Sequence, residues 1–165
     1  MPAEPWLRGA IEGVHGMIAP TLFSYMQARE DVAHWTEGLS DEQIWAQPHG
    51  VAPVGFHLRH IAGSVERLTT YLTGEQLTPE QVAAMKKEQE PGGGREALLR
   101  QVDEALRKSE EAMRALDPAT LEEPRVVGRK MLPTTVAGLL VHLAEHTQRH
   151  VGELIVTAKL ARQAG

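Results

Sequence analysis

Apolar residues along the chain return every three or four positions and almost never every second one. The clearest run is Val54, Leu58, Ile61, Val65, Leu68 and Leu72, which predicts a helix from about Pro53 to Thr73 with one apolar seam, stopped at Gly74. A second stripe, Leu98, Leu99, Val102, Leu106, Met113 and Leu116, predicts a helix from about Arg95 to Leu116. The first helical stretch begins after Pro5, is interrupted near Pro20, and runs on from Thr21 to Gly38. Ser40-Asp41-Glu42-Gln43 is a capping-box pattern that starts a short helical turn through Trp45. Pro133-Thr134 opens the last helix, which continues to about Leu160. No run of alternating β-branched residues bounded by hairpin turns stands out. The expected architecture is therefore all-α: a four-helix bundle with long crossover connections, in one domain over residues 1–165 with residues 1–19 as an N-terminal helical extension.

Composition narrows the function classes. The chain has 165 residues, with 17 Lys and Arg against 22 Asp and Glu, a formal charge of −5. An acidic chain of this kind lacks the clustered basic charge that phosphate neutralisation requires, so nucleic acid is not an expected partner. No apolar run approaches the roughly 20 residues of a membrane span, and the first residues lack a basic region followed by an apolar one; the expectation is a cytoplasmic protein. The charges between Lys86 and Asp117 are balanced and interspersed, as on a solvated helix face. There is no cysteine, which excludes disulfides, thiolate zinc sites, iron–sulfur clusters and a cysteine nucleophile. Gly92-Gly93-Gly94 lacks the Lys-Ser/Thr of a phosphate-binding loop and reads as a hinge.

Histidine is the candidate chemistry. Of eight histidines, five form two clusters, His57 with His60 and His142 with His146 and His150. Residues four apart on a helix project from one side, so His146 and His150 can converge on one ion, and an imidazole from another helix completes a three-nitrogen site with open positions. Rotation at about 100° per residue places His150, His146 and His142 about 55°, 95° and 135° from the centre of their apolar stripe. The same arithmetic places His57 about 60° and His60 about 120° from theirs, on the same rotational side. Both clusters flank the seam, with His57 the more inward of its pair. A competing motif, His142-Leu143-Ala144-Glu145-His146, has the H-x-x-E-H form of inverted zinc peptidases, but this helical chain is short for that fold. His15, His34 and His49 have no partner at ligand spacing, while Trp35, Trp45 and Phe56 read as core or pocket wall.

Two segments carry a family resemblance. Leu39 to Trp45 with Val54-Gly55-Phe56-His57-Leu58-Arg59-His60-Ile61-Ala62-Gly63-Ser64, and Val141 to Leu154 with its H-x-x-x-H pair, are similar to the DinB/YfiT-like superfamily of damage-inducible, metal-binding four-helix bundles. The resemblance runs from about Thr21 to Lys159, and residues 74–130 match only in length and helical character. It implies a divalent metal, nickel or zinc, held by His60, His146 and His150. His57 and His142 then become neighbours of the ligands or pocket residues, and Glu145 and Arg149 candidates to orient ligands or bind an anionic group. It also implies a metal-dependent enzyme: some members transfer a low-molecular-weight thiol to a small-molecule substrate, and the same site could activate water in a hydrolase. Any thiol would come from solution, since the chain supplies none. The alternative is a non-catalytic helical module for dimerisation or stress-response binding, with or without a structural metal. The Trp6–Met17 segment is apolar on one side and could pack on a second copy, the expected homodimer, or equally fold back on its own bundle.

Overall fold

The computed structural model describes residues 3–163 and is mostly helical. Six α-helices and one two-stranded sheet follow each other as α1 (Ala19–Thr36), α2 (Asp41–Trp45), α3 (Val54–Leu72), α4 (Pro79–Lys86), α5 (Arg95–Arg114), β1 (Pro124–Val127), β2 (Leu132–Thr135) and α6 (Val136–Gln163). The long helix α1 packs against α5 and α6, and α3 packs against the same two. Each expected seam residue of α3 is buried, from Val54 through Leu72. Leu98, Val102, Leu106 and Met113 of α5 meet them in one core with Leu22, Tyr25, Leu139, Leu140 and Leu143. A hydroxyl chain crosses this core: Tyr25 Oη lies 3.0 Å from Ser109 Oγ, which lies 2.7 Å from Thr69 Oγ1. Burying these groups is tolerable because each has a partner.

The capping box forms as expected, Gln43 N–H donating to Ser40 Oγ at 3.2 Å and Ser40 N–H to Gln43 Oε1 at 3.0 Å. A second one, Thr78 with Gln81, starts α4, a helix absent from the periodicity reading because its surface has no buried stripe. The N-terminal expectation is corrected. Among the described residues before Ala19 the only helical element is a 3₁₀ turn, Pro5–Leu7. Gly9 and Gly13 take φ of +103° and +71°, conformations that end a right-handed helix. Pro20 sits in the first turn of α1 and breaks nothing, since that turn needs no N–H donor there. Pro133 and Thr134 also change role: they belong to β2, where Pro133 pairs with Val126 and Thr134 with Arg125. Leu121 and Glu123 carbonyls accept from Ala137 and Val136, and Thr135 Oγ1 from Gly138 N–H, so the hairpin itself starts α6. No helix among the described residues is long and apolar enough to cross a membrane.

One polar bond and one packing contact fix α3 and its entry segment against neighbours. Thr157 Oγ1 on α6 donates to the Ala52 carbonyl at 3.2 Å, just before α3 begins. The Trp45 indole lies flat on α3 at Gly55, where a Cβ would stand 2.7 Å from the ring.

Candidate metal centre

The packing of α3 on α6 brings His60, His146 and His150 together, with one ring nitrogen of each lying within 4.8 Å of the others. Ring centroids are 4.4 Å apart for His60 and His150, 4.7 Å for His146 and His150, and 5.2 Å for His60 and His146. The pair on α6 shares a side because one helical turn separates them. Phe56 stacks on the His60 ring at 5.3 Å and walls one flank.

His60 is held from behind. Its Nδ1 lies 2.7 Å from Glu88 Oε2, and the other carboxylate oxygen accepts from Arg67 NH1 at 2.5 Å. Glu88 and Arg67 are 5% and 8% exposed, so this is a buried ion pair joined to a histidine. Burial alone would raise the Glu88 pKa, but the hydrogen bonds from His60 and Arg67 outweigh it and hold the carboxyl below its ordinary range. With Nδ1 engaged, Nε2 is the nitrogen His60 has left to offer. The arrangement needs Gly63: a Cβ there would collide with Glu88 Oε1 and stand 2.8 Å from Arg67 NH1.

Glu88 reaches this place because its segment is tied down. Arg59 donates to the carbonyls of Lys87, Glu90 and Gly92, and its guanidinium lies 4.9 Å from the Trp45 ring centre. Trp45 Nε1–H donates to the Gly93 carbonyl at 3.0 Å.

His57 lies on the far side of His150. It is 2% exposed, and its Nδ1 is 3.2 Å from His150 Nδ1. Glu153 Oε2 stands 3.6 Å from His57 Nδ1 and 3.5 Å from His150 Nδ1, so these three form a second group able to hold a cation. The rotation arithmetic was right that His57 is the more inward, yet His60 completes the three-imidazole group. Burial pushes His57 down to about 4. It does the same to His146, also about 4, aided by the neighbouring His150, His60 and His142. His150 is lowered as well, first by burial and then by His60. These rings are neutral at neutral pH, the form in which imidazole ligates.

The other candidates are placed at the rim or away. His142 Nδ1 lies 2.7 Å from Glu145 Oε1, and Arg149 donates to the other oxygen at 2.6 Å. The three side chains are about half exposed. Glu145 is thus engaged by His142 and Arg149, and neither His142 nor Glu145 belongs to a cation-holding group among the described residues. The inverted-zincin arrangement does not assemble. His15, His34 and His49 are exposed. Sequence reading missed Glu88, Arg67, Gly63 and Glu153.

The donor set fits a divalent transition ion. Three imidazoles converge from two rigid helices, one is backed by a carboxylate, and His146 Nδ1 is buried with no hydrogen-bond partner. Unpaired, such a nitrogen carries a desolvation cost that an ion at the centre would offset.

Comparison with curated proteins gives no match. The family model described as the DinB superfamily matches residues 24–154. That span holds His60, His146, His150 and the Glu88 that backs them. The chain belongs to the DinB superfamily.

Proposed function

We propose that the four long helices α1, α3, α5 and α6 form a DinB-type four-helix bundle that holds nickel or zinc at His60, His146 and His150, and that the protein is a cytoplasmic metal-dependent enzyme. The observation that carries this reading is the convergence of three imidazole nitrogens within 4.8 Å on two helices. Three protein ligands leave positions for an exogenous group, the arrangement of catalytic rather than closed structural sites. When bound, the ion lowers the pKa of a coordinated water or thiol so that it serves as a nucleophile near neutral pH. The favoured chemistry is transfer of a low-molecular-weight thiol to a small substrate, with hydrolysis the outcome if water occupies that position.

The chain's own residues prepare the site. Glu88 accepts the Nδ1 proton of His60 and so fixes its tautomer and ring plane. Arg67 holds the second oxygen of Glu88, which keeps the carboxylate ionised and still. His57 and His150 share one proton between their Nδ1 atoms, which turns Nε2 of His150 away from His57. Phe56 keeps water off one face of His60.

Elemental analysis of the gently purified protein tests the metal. One divalent ion per chain, lost in His146→Ala, is the expected result; no ion, and a variant identical to wild type, would sink the reading. Cobalt substitution then tests the chemistry: a small thiol added to the cobalt protein should bring up a sulfur-to-metal charge-transfer band. Its absence would leave hydrolysis. A protein that unfolds on chelation would instead point to a structural ion in a non-catalytic module.

A further inference from the structure

A cavity of about 240 Å³ lies between α3, α4 and α6, with His60 and His146 in its wall. Leu68, Leu77 and Met85 give it an apolar side, and Arg67 lines it as well. Since a water molecule takes about 30 Å³ in the liquid, the cavity holds on the order of eight non-hydrogen atoms. Its polar anchor is unusual. Arg67 is 8% exposed and uses NH1 on Glu88, but that carboxylate is divided between Arg67 and His60. The guanidinium fork is therefore only partly matched, in a buried place where its remaining N–H groups favour a second planar anion. Arg67 NH1 also lies 2.8 Å from where a Cβ on Gly63 would stand, so the side chain folds back along α3 toward His60.

We propose that this cavity is the substrate pocket of the metal centre and takes a small carboxylic acid with an apolar body. The carboxylate sits on Arg67, near the histidines, and the body lies along Leu68, Leu77 and Met85. The substrate role rests on the metal-centre reading above; the carboxylate specificity rests on Arg67 and the cavity alone.

The test is calorimetric titration of the full-length chain with hexanoate and with hexanamide, both of about the size the cavity holds. Each titration is run once in chelator and once after zinc loading. Hexanoate is expected to bind in both conditions, and hexanamide at least tenfold more weakly. Arg67→Lys keeps a charge beside Glu88 but loses the fork, and should remove most of that discrimination. Met85→Trp alters a largely exposed wall residue and should weaken hexanoate at least tenfold. Both variants should retain native helicity by circular dichroism, and Met85→Trp the zinc stoichiometry of wild type. Equal binding of the two probes, no binding of either, or unchanged discrimination in Arg67→Lys would overturn the proposal. So would hexanoate binding that appears only with zinc, which would assign the carboxylate to the ion. Intact discrimination in a protein that takes up no zinc would defeat the metal reading and leave the carboxylate pocket standing.

Discussion

Glu88 Oε2 lies 2.7 Å from Nδ1 of His60 although 28 positions separate the two residues in sequence. The carboxylate backs a histidine of the three-imidazole group, and removing it frees the ring to rotate and to change tautomer. Glu88→Gln is expected to lower metal affinity about 10- to 100-fold with the helical content unchanged. Competition against a zinc-binding dye measures it, and an unaltered affinity would remove Glu88 from the centre.

Gly63→Ala tests the same network from the helix side. The added methyl meets Glu88 and Arg67 rather than open space, so the ion pair must move away from α3. Zinc affinity should fall as in Glu88→Gln, and the chemical-denaturation midpoint should fall too. Gly152→Ala, with nothing near its Cβ position, is the control and should leave metal affinity unchanged.

Chelated protein should lose stability on acidification between pH 6.5 and about 4. His57 and His146 protonate near 4 when folded and near 6.5 when unfolded. Between those values the unfolded chain binds more protons, so unfolding becomes easier as pH falls, and the slope flattens below about 4 for these groups. Glu88, depressed in the folded state, adds loss in the same direction at lower pH. Denaturation midpoints across this range measure the effect, and His57→Gln should reduce the slope. A flat profile from pH 7 to 5 would contradict the burial of these rings.

Core packing sets a reference for these effects. Ile61 is fully buried one position after His60, and Ile61→Ala should cost about 2–5 kcal/mol in urea unfolding. Its side chain faces the seam, so zinc stoichiometry should be retained in the fraction that folds. Loss of the ion in a folded Ile61→Ala protein would mean that the seam and the donor set are mechanically one unit.

Much of this molecule was legible because helices write their buried face at regular intervals. The seam of α3, the stripe of α5 and the H-x-x-x-H pair on α6 all follow from spacing along one element. Glu88 was invisible for the converse reason. It sits between α4 and α5 among charges that are mostly solvated, and only the bonds from Arg59 to Lys87, Glu90 and Gly92 bring its segment onto α3. The β-hairpin escaped notice because its strands are four residues each and carry Pro124 and Pro133, residues that argue against a strand. Thr78 and Gln81 did spell a capping box, and α4 was readable there without any apolar stripe.

The bond from Thr157 to the Ala52 carbonyl bears on more than packing. His60 rides on α3, while His146 and His150 ride on α6, so the spacing of the three candidate donors is set by how far one helix has slid along the other. A slip of a single residue is about 1.5 Å, several times the tolerance of a metal–nitrogen bond. Thr157 anchors α6 to Ala52, two positions ahead of α3. It works as a zero mark on a ruler: the three imidazoles are brought into register by an alignment pin that is none of them.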